Sequence, residues 1–168
     1  MSISAEKRES TRIAYNYCCG YCGLSETDAG NTLDIDHYRP VKHDGTDDYD
    51  NLVYACPACN RFKGEYWPDE DDPDSFHLLH PDEDDVSAHI VLMQNGRLSG
   101  ITPRGWFHLR WLHLNRPQSI ARRQRQQRER EMQEMLLVAK STQRQLRKRI
   151  DELEQELFEL QEMISRLI

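Results

Sequence analysis

Two Cys-x-x-Cys pairs, Cys19-Gly20-Tyr21-Cys22 and Cys56-Pro57-Ala58-Cys59, constrain this chain more than any other feature. Four thiolates at that spacing are a full tetrahedral set for a structural zinc ion. A closed four-sulfur site leaves no open position for water, so it predicts architecture rather than chemistry. Cys18 lies beside the first pair, but only Cys19 stands two residues from Cys22. Residues 23–55, between the pairs, exceed what a simple zinc ribbon needs and predict an element inserted between two knuckles.

A metal staple suits the composition. The 168 residues allow one modest domain plus an extension, and only 38% are hydrophobic, which makes a lean core. The start, MSISAEKRES, has no apolar stretch of the kind a secretory signal needs, and no apolar run reaches membrane-spanning length. These features predict a cytoplasmic chain, away from membranes, with reduced cysteines available to metal. Charge is divided unevenly. Residues 1–115 hold 10 Lys/Arg against 20 Asp/Glu, a net of −10, whereas residues 116–168 hold 12 against 9, a net of +3. Such acidity argues against tight nonspecific nucleic-acid binding by the chain alone and points to a local patch or a partner.

Several elements are legible. Residues 1–17 show a weak helical pattern. Leu33-Asp34-Ile35-Asp36-His37-Tyr38-Arg39 alternates as a strand does and stops at Pro40; Asp44-Gly45 marks a turn; 51–55 is a connection or short strand. A helix is expected to begin at Asn60. Residues 65–85 are acidic and read as a solvated loop, or alternatively as a negative mimic that restricts access of DNA. Asn95-Gly96 between apolar segments predicts a hairpin over 88–101. A helix is expected over 103–114, with Pro103 near its start and Trp106, Phe107, Leu109, Trp111, Leu112 and Leu114 as core or interface. From Met132 to Leu167, apolar residues recur at alternating steps of four and three, interrupted at Gln143: Met132, Leu136, Ala139, Leu146, Ile150, Leu153, Leu157, Leu160, Ile164, Leu167. This heptad seam predicts a coiled coil, as a homodimer or with a different protein. Arg116, Arg122, Arg123, Arg125, Arg128 and Arg130 precede it, either as a track for a nucleic-acid backbone or as a solvated helix face. The expected division is 1–117, with a metal finger at 18–64, and 118–168.

Between and around the knuckles stand Asp36-His37, Asn51 and Asn60, residue types that can supply a base and oxygen ligands for a hard cation. The stretches DIDHYRP and DNLVYACPACNRFKG resemble the HNH endonucleases, whose ββα-metal finger places a DH pair before a proline, a middle Asn and a CxxCNxxKG ending in this order. The resemblance implies an α+β fold, with a zinc-stapled finger followed by a hairpin and helix and then the long helix. It implies that His37 is the general base and that Asn51 braces the loop and orients it. It further implies that Asp36 and Asn60 hold a catalytic Mg2+ or Mn2+, and that Arg61 and Lys63 touch phosphate. The activity it implies is DNA hydrolysis to 3′-hydroxyl and 5′-phosphate ends, in an effector of bacterial phage defence working with a partner such as an ATPase. Alternatives are RNA as the target, or a zinc-bound adaptor that has lost catalysis.

Overall fold

A computed structural model describes residues 3–69, 71–72 and 75–167, the last without its side chain. Glu70 and Asp74 of the acidic run, and the Leu167 side chain of the seam, therefore lie outside the described residues. The chain forms two compact units, Met1–Arg123 and Gln124–Ile168.

In the first unit, helix α1 (Ala5–Ala14) starts where the Ser4 hydroxyl accepts from the Lys7 N–H. Asn16 and Tyr17, both left-handed, turn the chain into the first knuckle, which the single turn α2 (Glu26–Ala29) follows. Strand β1 (Asp34–His37) pairs antiparallel with β2 (Leu52–Ala55), placing Asp36 opposite Val53 and His37 opposite Leu52. The run Leu-Val-Tyr-Ala of β2 is buried throughout, so this segment is a short buried strand and not a connection. Helix α3 (Pro57–Lys63) comes next, then β3 (Ile90–Leu92), β4 (Leu98–Gly100) and α4 (Pro103–Trp111). The Asn95-Gly96 hairpin is present, with Gly96 at φ 74°. Among the described residues there are two sheets of two strands each.

Three expectations are corrected here. Helix α3 starts at Pro57 and ends before Gly64 (φ 55°), so Asn60 lies in its middle and not at its start. The cause is Cys56, which caps the helix: its sulfur accepts from the Cys59 N–H. The stretch 65–85 is not simply solvated. Leu78, Leu79 and His80 are buried, Asp84 is salt-bridged to Arg104 at 2.7 Å, and the Tyr15 hydroxyl donates to Asp82. Helix α4 stops at Trp111 because His113 turns left-handed. Leu112 and Leu114 fill the core from the turn, whereas Trp106 and Trp111 remain exposed.

The long helix α5 (Pro117–Leu167) starts inside the first unit. Ser119, Arg122 and Arg123 are buried, so the compact unit extends past the expected boundary at 117 to Arg123. The second unit is the remainder of that helix. Met132, Leu136, Leu146, Ile150, Leu153, Leu157, Leu160 and Ile164 of the seam are exposed along it, as are Leu137, Val138 and Phe158 off the seam. Arg149 pairs within the helix with Glu152 at 3.1 Å. No helix among the described residues is long and apolar enough to cross a membrane.

Candidate active site and metal centre

The two knuckles converge. In the first, the Gly23 N–H donates to the Cys19 carbonyl (2.7 Å) and the Cys19 N–H to the Leu24 carbonyl (2.8 Å), folding Cys19 and Cys22 toward one point. In the second, the cap of α3 places Cys56 one turn from Cys59. All four sulfurs lie within 4.8 Å of one another, and those of Cys22 and Cys56 are 3.8 Å apart. A tetrahedron with metal–sulfur bonds of about 2.3 Å has edges of about 3.8 Å, so the sulfur set fits zinc. Cys18 is not in the set.

Arginines hold this cradle from outside. Arg122 donates to the Cys22 and Gly23 carbonyls, and Arg116 donates to the Cys59 sulfur at 3.7 Å and to the Leu112 carbonyl at 2.8 Å. Arg123 donates to the carbonyls of Gly96 (2.7 Å) and Leu114 (3.0 Å). Three members of the supposed basic track are therefore structural. Carbonyls and sulfur left over by tight turns need donors, and a guanidinium supplies several from one side chain.

The two strands and α3 gather the other candidates. His37, at the end of β1, has its Nε2 2.7 Å from Asp47 Oδ1. The carboxylate of Asp47 is held below its usual range, first by that hydrogen bond. An ionised carboxylate only accepts, so Nε2 carries the proton and a neutral ring keeps its lone pair on Nδ1. The Asp47 carbonyl in turn accepts from Lys7 of α1. Asn51 has all its side-chain groups in the loop that bears Asp47: Oδ1 accepts from the Arg39 N–H (2.7 Å), and Nδ2 donates to the carbonyls of Thr46 (2.8 Å) and Arg39 (3.1 Å). The same loop passes so close to itself at Gly45 that a Cβ there would lie 1.7 Å from the Arg39 oxygen.

Asp36 and Lys63 depart from their expected roles. Asp36 is 6% exposed; its Oδ2 accepts from the Tyr21 hydroxyl (2.7 Å) and its Oδ1 from the Lys63 ammonium (3.0 Å). Burial raises its carboxyl above the usual range, against the pull of Lys63 and Tyr21. Lys63 is 2% exposed and also donates to the His37 carbonyl at 2.6 Å, so it is an internal anchor of β1 and not a surface contact for phosphate. Asn60 turns to Asp34 instead, its amide 3.3 Å from Asp34 Oδ2. Arg61 is exposed on α3. As arranged, Asp36 is buried and each of its oxygens accepts one hydrogen bond, so it is less open to a cation than Asp34. The less buried pair Asp34 and Asn60 does offer oxygen donors, a carboxylate and an amide that can present either end.

Residues 19–65 match the family model of the HNH endonucleases. Over that segment the chain is similar to an HNH endonuclease domain. The segment covers both knuckles, β1, β2 and α3, and its cysteine set is that of a zinc-bearing HNH finger. No curated protein and no solved structure matches the chain. Within the domain, sequence reasoning missed Asp34, Asp47 and Tyr21. Asp34 shares the period-two face of Asp36, which was a usable signal. Asp47 stands in an acidic loop with Asp44, Asp48 and Asp50, and nothing in the sequence separates it from them.

Proposed function

We propose that the chain is a metal-dependent endonuclease that hydrolyses phosphodiester bonds of DNA, with His37 as general base. The arrangement of His37 on Asp47, at the end of β1 inside the HNH domain, carries this reading. Nδ1 takes a proton from the attacking water, and Asp47 stabilises the imidazolium that forms and holds the ring's orientation. Asn51 acts through Asp47 by fixing the loop that carries it. Asp34 and Asn60 are the residues that would hold Mg2+ or Mn2+, which when bound neutralises charge on phosphate. Arg61 is left as the phosphate contact of the original pair.

The exposed seam of α5 supports pairing with a second copy or a partner protein. The resemblance of DIDHYRP and DNLVYACPACNRFKG to the HNH endonucleases is what supports a cytoplasmic role in phage defence. The test is incubation with supercoiled plasmid and Mg2+ or Mn2+, beside a metal-free control. Nicking or linearisation is expected, and should be abolished by His37→Ala with zinc content unchanged. Undiminished cutting by that variant would remove His37 as the base. Metal-independent cutting would remove the hard cation.

A further inference from the structure

The described part of the first unit holds a feature that hydrolysis at His37 does not use. Beside α3 and α4, a cleft of about 720 Å³ is lined by Phe62, Trp106, Phe107, Arg110, Trp111 and His113, among others. A second, of about 520 Å³, shares Trp106, Arg110 and His113 and adds Arg97. The aromatic surface is not spent on the core: Trp106 is 49% exposed and Trp111 38%. The rings are nonetheless held firmly. Trp111 stacks on Phe107 with centroids 5.5 Å apart at 24°, and lies 4.0 Å from the Tyr66 ring. Strand β4 presses so closely on α4 that a Cβ on Gly100 would lie 2.5 Å from the Trp106 nitrogen.

Charge identifies the occupant. Among the described residues no carboxylate lines either cleft, although residues 1–115 carry a net charge of −10. Arg97 and Arg110 are exposed, so guanidinium groups flank the rings on a surface otherwise rich in acid. Flat apolar faces beside cations that have no carboxylate neighbour match bases beside phosphates. Paired bases hide their faces within the stack, so the ligand is single-stranded. Phe62 stands two residues beyond Asn60 in α3, so one short helix contributes to both the cleft and the candidate site.

We propose that this cleft binds unpaired nucleotides next to the scissile position, bases stacking on Trp106 and Trp111 and phosphates meeting Arg97 and Arg110. The proposal deepens the nuclease reading and rests on it. The test uses the full chain without added Mg2+ or Mn2+, and fluorescence anisotropy of a labelled single strand against a duplex of the same sequence. The single strand is expected to bind at least tenfold more tightly and to quench tryptophan fluorescence. Arg97→Ala with Arg110→Ala should weaken it on the order of tenfold and flatten the log–log salt slope by about 1.4, two phosphates at about 0.7 each. Trp106→Leu should weaken it on the order of tenfold, and Trp106→Phe should restore most of the loss. Equal binding of duplex and single strand, or arginine variants that bind like the parent, overturns the proposal. So does a cleft that takes only a protein partner. Absent plasmid cutting with this single-strand preference intact would sink the nuclease reading and leave the cleft standing.

Discussion

Asp34 and Asp36 stand two positions apart on one strand, yet the structure gives them opposite tasks. Asp36 is half of a buried ion pair, and removing one partner of such a pair costs about 3–5 kcal/mol. Asp36→Ala is therefore expected to lower the melting temperature sharply, measured by circular dichroism. Asp34→Ala should melt near the parent but need more Mn2+ for half-maximal cutting. The reverse pattern would return the cation to Asp36. Asp47→Asn keeps the shape of the side chain but removes the charge behind His37; cutting should fall by one to two orders of magnitude with stability unchanged. His108 tests a different part of the unit. Its Nδ1 accepts from the Leu79 N–H at 2.9 Å, and burial holds its pKa down to about 4. Between pH 6.5 and 4 the unfolded chain binds a proton that the folded chain refuses, so this contribution is fully present above about 6.5 and is lost as pH falls, about 3 kcal/mol in all. Acid melts of His108→Asn, which retains an acceptor, should show a shallower fall than the parent over that window.

At the scale of elements, what was legible is what announces itself locally. The knuckles, the β1 alternation ending before Pro40 and the Asn95-Gly96 turn are written in adjacent residues. What was not legible depends on distant partners. Nothing near Arg122 says that its guanidinium will close a knuckle a hundred residues earlier, and a basic run looks the same whether it faces phosphate or carbonyls. Lys63 likewise fits a phosphate contact by its place in the motif, and only the packing of α3 on β1 turns it inward. Arg122→Ala should thus cost about 1–3 kcal/mol through unsatisfied carbonyls, read as a lower melting temperature and easier zinc loss to a chelator. If instead it melted like the parent and bound DNA less, the basic track would be restored. A chain ending at Leu114 should be less stable than one ending at Arg128, because the first turns of α5 belong to the fold of the first unit.

At the scale of the whole molecule, the long helix carries an unburied stripe that a solvated single helix has no reason to keep. Leu153, Leu157 and Leu160 are each about half exposed, and burying a Leu side chain contributes about 1.5–3 kcal/mol. Self-association through the seam is the expected use, with light scattering showing a dimer for the full chain and a monomer for residues 1–128. Leu153→Asp with Leu160→Asp should also give a monomer. A monomeric parent would direct the search to a different protein. The zinc cradle adds a dependence of another kind. Helix α3 is only seven residues long, and Cys56 and Cys59 sit at one end while Lys63, which grips the strand beneath His37, sits at the other. Loosening the sulfurs therefore misaims the base. Thiolates are open to oxidants in a way that carboxylates, amides and imidazoles are not, so the staple doubles as a fuse: oxidative stress would disarm this finger before any residue of its proposed chemistry was itself modified.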